Sequence, residues 1–185
     1  MNTLDLVSHG PVIPVIVLQR VADAVPLARA LVAGGVNVLE VTLRTPAALD
    51  CMRAIAQQVP EAIVGAGTIR SVDDAKAALD AGCRFGVSPG YTRDIGLACQ
   101  RIGLPLLPGV ATASEVMAAN ADGYQFLKFF PATAAGGIPM LKALAGPFAD
   151  VVFCPTGGIT PQTAPQFLAL PNVKVCGGSW LTPQD

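Results

Sequence analysis

Residues 62–90 read "AIVGAGTIRSVDDAKAALDAGCRFGVSPG", and the order of textures within them decides the fold. "AIVGAGT" is a short apolar run of the kind that forms a buried strand. "SVDDAKAALDAG" has helical periodicity, with Ser71 placed as an N-cap and Asp74 three residues on. "CRFGVSPG" is apolar again and stops at Pro89-Gly90. A strand, a helix and a strand in so few residues require a crossover, and a crossover joins parallel strands in a right-handed sense.

The same beat runs through the chain. "VIPVIVL" (12–18) precedes "DAVPLARALVAGG", where Ala24, Leu27, Ala28 and Leu31 fall on one helical face and Gly34-Gly35 stops the helix. "VNVLEVTL" precedes "PAALDCMRAIAQQ", "PLLPGVAT" precedes "SEVMAANADG", and "YQFLKFFPA" precedes "IPMLKALAG". "DVVFCPTGG" precedes "TPQTAPQFLAL", and "VKVCGGS" closes the series. Eight strands and seven intervening helices result. Near-continuous apolar strands fit a sheet covered on both faces. The pattern predicts an α/β fold, a (β/α)8 TIM barrel, with a doubly wound sheet as the alternative because strand counting alone does not close a barrel. No linker or shift in composition divides residues 1–185, so one domain is expected. The chain ends at "SWLTPQD" with no residues left for an eighth helix. The expectation is a barrel lacking its final C-terminal helix, with truncation or a neighbouring subunit accounting for the open face.

Composition narrows the function. Of the 185 residues 52% are hydrophobic and only 14% charged, with a formal net charge of -1. No Lys/Arg-rich run is present, which argues against nucleic acid or an anionic membrane as partner. No apolar run of about 18 residues escapes a charge, Gly or Pro, and the N-terminus lacks a basic region, so neither a transmembrane span nor a signal peptide is read. The five cysteines are widely spaced and the one histidine is His9. That is no zinc or disulfide pattern; it reads as buried thiols in a reducing cytoplasm. No dinucleotide or P-loop motif occurs, and neither cofactor nor metal is expected.

The polar residues at strand ends are few. Lys128 interrupts the apolar "FLKFFPA". A buried ammonium is costly, and a lysine forced to shed its proton is a nucleophile toward carbonyl carbon; an exposed strand end or an edge strand would explain it equally well. Glu40 in "VLEVTLR" reads as a proton-transfer group or as the ion-pair partner of Lys128 or Arg44. Arg44 offers a planar fork to a carboxylate, or is a rim arginine in water. If the strand continues, Glu40 and Arg44 share a face. Thr68 and Pro89 stand at two further strand ends. "PTGG" ahead of a helix (Thr156, Gly157, Gly158) and "CGGS" (Gly178, Ser179) expose backbone N–H groups suited to phosphate, especially beside a helix N-terminus. His9 and Trp180 are read as a surface residue and a packing residue.

Taken in order, "VLEVTLRT", "VGAGT", "SPG", "LKFFPA", "CPTGGI" and "GGSW" closely resemble the class I KDPG aldolase family, the 2-keto-3-deoxy-6-phosphogluconate aldolases, some also active on 4-hydroxy-2-oxoglutarate. The resemblance implies a (β/α)8 barrel, a homotrimer, no metal, and cleavage of a phosphorylated 2-keto-3-deoxy sugar acid to pyruvate and glyceraldehyde 3-phosphate. It places the Schiff-base lysine on Lys128 and the proton-shuttling glutamate on Glu40. It assigns the pyruvyl carboxylate to Arg44 and Thr68, the phosphate to Gly157, Gly158, Gly178 and Ser179, and the pocket wall to Pro89, Phe130 and Thr156. A phosphate-binding isomerase or epimerase, or a silent sugar-phosphate-binding barrel, would use the same glycine loops without an imine.

Overall fold

The computed structural model describes residues 3–182; residues 1–2 and 183–185 of the expected domain, including the end of "SWLTPQD", lie outside the described residues. In chain order the elements are β1 (Val12–Ile16), α1 (Val21–Ala33), β2 (Val38–Thr42), α2 (Ala48–Gln58), β3 (Ile63–Gly67), α3 (Val72–Asp80), β4 (Phe85–Val87) and α4 (Arg93–Ile102). There follow β5 (Leu106–Leu107), β6 (Gly109–Val110), α5 (Ala113–Ala121), β7 (Phe126–Phe129), α6 (Gly137–Ala145), β8 (Val152–Pro155), α7 (Ala164–Leu168) and β9 (Cys176–Gly178). Each apolar run forms strand. The fifth does so in two pieces, because Pro108 has no N–H to offer a ladder. Before the proline the chain pairs with β4, and after it with β7.

All pairings are parallel. One sheet runs β5-β4-β3-β2-β1-β9 and the other β6-β7-β8. They join through the chain at Pro108 and, on the far side, through the bridges Phe153↔Val173 and Thr156↔Gly177. The strands therefore form a closed eight-membered circuit, the barrel that the alternation predicts. Local signals act as read. Ser71 accepts from the Asp74 N–H at 3.0 Å while the Asp74 carboxylate accepts from the Arg70 N–H at 2.8 Å. Ala24, Ala28 and Leu31 of α1 are buried, and Gly35 leaves the helix at a φ of 84°.

Alternation along each strand sorts the side chains into two sets. Leu39, Val41, Val64, Ala66, Leu127, Phe129 and Phe153 point outward and pack under the helices. Ile13, Val38, Ile63, Phe85, Val87, Leu107, Phe126, Cys154 and Val175 fill the barrel itself. A 3-10 helix over Thr3–His9, which the sequence reading did not anticipate, adds Leu6 to that interior, and His9 is exposed at its end. Among the described residues no helix follows β9. There Trp180 folds back, so that a Cβ on Gly178 would stand inside its indole ring. No helix of the described residues is long and apolar enough to cross a membrane.

Gly65 faces inward on β3, and a Cβ there would enter the Phe85 ring, which fills the barrel axis. Gly65→Ala is expected to destabilise the protein by about 1–3 kcal/mol through overpacking, measured by urea unfolding against the parent chain.

Candidate active site

β7 lies between β6 and β8, so Lys128 is on no edge strand. It is only 4% exposed, which removes the exposed-lysine reading. Its side chain points inward, and Nζ donates to Glu40 Oε1 at 3.2 Å. Glu40, the inward residue at the middle of β2, is 3% exposed. Of the two partners open to Glu40, the structure selects Lys128. Removing both charges from water costs several kcal/mol per ion, so such a pair is poor evidence of a stabilising role. Room for it comes from Gly67, where a Cβ would run into the Glu40 carboxylate. The Lys128 ammonium also stands 5.3 Å from the centroid of the Phe130 ring. Beside Lys128 in register is Cys154, buried, with its thiol pushed up to about 12, chiefly by desolvation and against a lowering by Lys128. All five cysteines are free and buried.

Arg44 departs from expectation in its placement. β2 ends at Thr42, so the shared-face argument with Glu40 stops there, and Arg44 occupies the following turn. It reaches the mouth nonetheless: its Nε donates to Thr68 Oγ1 at 3.2 Å. Thr68 has a φ of 64°, and among the described residues it is the one non-glycine in the left-handed region. For a β-branched residue this is strained backbone, of the sort held in place only by its surroundings.

A cavity of about 370 Å³ opens at this C-terminal end of the strands. Val15, Val17 and Arg44 line it together with Phe130, Thr156, Gly157, Gly158, Gly178 and Ser179. Lys128 and Glu40 adjoin that lining: Lys128 lies two residues before Phe130, and Glu40 is in register with Val15. Gly157 and Gly158 take φ values of 102° and 74°, and the Gly157 carbonyl accepts from both the N–H and the hydroxyl of Thr133, each at 3.1 Å. The helix expected to abut this loop starts later. Reciprocal bonds between Thr160 and Thr163 hold residues 160–163 as a turn, and α7 begins only at Ala164. Pro89 stands at the rim after β4, its carbonyl packed on Gly109, outside the cavity lining. Sequence reasoning missed Val15, Val17, Ile159 and Thr182, all in the lining. Two valines in an apolar run carry no mark that separates a cavity wall from core.

The family model for KDPG and KHG aldolases matches residues 4–185. A 2-dehydro-3-deoxy-phosphogluconate aldolase of Pseudoalteromonas atlantica is 51% identical over 185 residues, covering 100% of this chain and 86% of the relative. The KHG/KDPG aldolase of Escherichia coli is 52% identical over 181 residues, covering 98% of this chain and 85% of its own. Among solved structures, a KDPG aldolase from Legionella pneumophila, with pyruvate captured at low pH as a covalent carbinolamine intermediate, has a TM-score of 0.95 at 50% identity, covering 97% of this chain and 87% of that one. These relatives are aldolases, the class in which the barrel and its buried amine stand. The chain belongs to the KDPG and KHG aldolase family.

Because Gly67 makes the space that Glu40 occupies, Gly67→Ala tests the pair without touching either charge. The variant is expected to fold, by circular dichroism, and to lose aldol cleavage by about 100-fold or more, the loss associated with a displaced general acid–base group.

Proposed function

We propose that the protein cleaves 2-dehydro-3-deoxy-6-phosphogluconate to pyruvate and glyceraldehyde 3-phosphate through an imine on Lys128, and accepts 4-hydroxy-2-oxoglutarate, yielding pyruvate and glyoxylate, at the same site. The observation that carries this reading is the contact of 3.2 Å between a buried amine and a buried carboxylate beside a cavity edged by a guanidinium. Family membership and the names of the relatives support the substrate.

Arg44 and Thr68 hold the pyruvyl carboxylate, which turns C2 toward the amine. Unprotonated Lys128 Nζ adds to C2, the ketone oxygen takes a proton and leaves as water, and a protonated imine remains. Glu40 relays those protons. Its carboxylate then removes the C4 hydroxyl proton. The C3–C4 bond breaks, its electron pair forming the C2–C3 double bond of the enamine as the imine π-pair moves to nitrogen. C4 leaves as the aldehyde carbon. Glu40 returns the proton to C3, water hydrolyses the imine, and pyruvate and free lysine result. The backbone of Gly157, Gly158 and Gly178 and the Ser179 hydroxyl bind phosphate far from the broken bond, where binding energy can support the chemistry. Phe130 and Thr156 form the wall beside C3 and C4. A homotrimer in the cytoplasm, implied by the resemblance, belongs to the same proposal, and sedimentation equilibrium measures the first part of it.

Borohydride added with pyruvate is expected to leave a reduced adduct that peptide mass mapping places on Lys128. An active protein without that adduct would overturn the imine, and leave an isomerase or epimerase as the better reading. Lys128→Ala is expected to abolish pyruvate release in a coupled assay. Glu40→Gln, which keeps the shape and removes the base, is expected to slow it by about 10²–10⁴-fold.

A further inference from the structure

Arg44 sits on residues 43–47, between β2 and α2, and is exposed. An exposed arginine on a turn is a poor instrument for holding a ligand unless the turn itself is fixed. Two hydroxyls fix it from one side. Thr42, fully buried, donates through Oγ1 to the carbonyl of Ile16 at 3.0 Å. Thr45, half-buried, donates through Oγ1 to the carbonyl of Leu18 at 2.6 Å, at the short end for such bonds. The two donors flank Leu43 and Arg44; the two acceptors flank Val17. Arg44 and Val17 both line the cavity. From the other side the Leu43 N–H donates to the Gly67 carbonyl at 2.9 Å. Beyond Ile16 the β1 ladder has ended, so at Leu18 a side chain takes over the joining of the first two strand ends.

The geometry points to Thr45 as a positioning residue for pyruvate binding: its hydroxyl, hooked on the Leu18 carbonyl, sets where the Arg44 guanidinium stands at the cavity that Val17 also lines, with Thr42 as the inner anchor of the same turn. The inference rests on the reading of Arg44 as the carboxylate clamp. Thr45 touches no substrate. It acts through the backbone that carries Arg44 and the backbone that carries Val17.

The test measures the pyruvate concentration that gives half-maximal borohydride trapping on Lys128. Thr45→Val keeps the shape and removes the donor. It is expected to raise that concentration about fivefold to tenfold, the equivalent of one hydrogen bond, with the adduct at saturating pyruvate unchanged. Thr45→Ser, which keeps the hydroxyl, is expected to behave as the parent. Arg44→Ala is expected to raise the concentration by itself, and Thr45→Val added to it is expected to change nothing further. If Thr45→Val does not fold by circular dichroism, Thr45→Ala carries the same expectations. A parental value in Thr45→Val, an equal defect in Thr45→Ser, or a full effect of Thr45→Val in the Arg44→Ala background would overturn the positioning role. A parental value in Arg44→Ala would instead overturn the clamp itself, and the positioning role with it.

Discussion

Glu40 and Lys128 are taken out of water together, 88 residues apart in sequence, and the rest of the barrel is arranged around the cost of doing so. Neither charge could stand in the apolar interior alone. The strands therefore divide the interior by depth. Toward the N-terminal ends, Leu6, Ile13, Ile63, Phe85 and Phe126 close the axis with hydrocarbon. Above them the inward positions shrink to glycine on β3, β6 and β9, at Gly67, Gly109 and Gly177, each too close to a neighbour to carry a Cβ. The large residues below exclude water from the pair, and the missing side chains make room for the Glu40 carboxylate, the Pro89 carbonyl and the Thr156 hydroxyl.

The mouth is built on a different principle from the floor. Below, position is set by packing. At the rim, where the ladders have stopped, it is set by single hydrogen bonds and by backbone held in sparsely populated conformations: Thr68 at a φ of 64°, Gly157 at 102°, Gly158 at 74°. The two glycines adopt such values without strain. Thr68 does not, and its place between Gly67 and the Arg44 side chain gives the strained residue a use: its hydroxyl accepts from Arg44 Nε.

Sequence periodicity carried the fold a long way, because helix caps such as Ser71 and apolar faces such as Ala24, Ala28 and Leu31 are local signals. Lys128 and Glu40 were visible for a related reason, being charges where alternation demands hydrocarbon. What could not be read is whatever depends on the end of an element. The halt of β2 at Thr42 put Arg44 on a turn and not on the strand face of Glu40. The Thr160–Thr163 bonds delayed α7. Pro108 split one strand by withholding one N–H. The cavity-lining valines were hidden because lining and core demand the same residue types, and the helix at Thr3–His9 because a plug shows its purpose only against the opening it fills.

Cys154, beside Lys128 in the β7–β8 register, bears on chemical selectivity. In the proposed reaction nitrogen and sulfur, two nucleophilic elements, are neighbours beside the substrate ketone, and a thiolate would compete with the amine for that carbonyl. Sulfur reacts only once deprotonated, and burial has pushed this thiol up to about 12. In neutral solution it stays an uncharged hydride of sulfur, filling space. The burial that encloses the lysine thus also silences its competitor, and under the proposed mechanism the carbonyl meets one reactive partner.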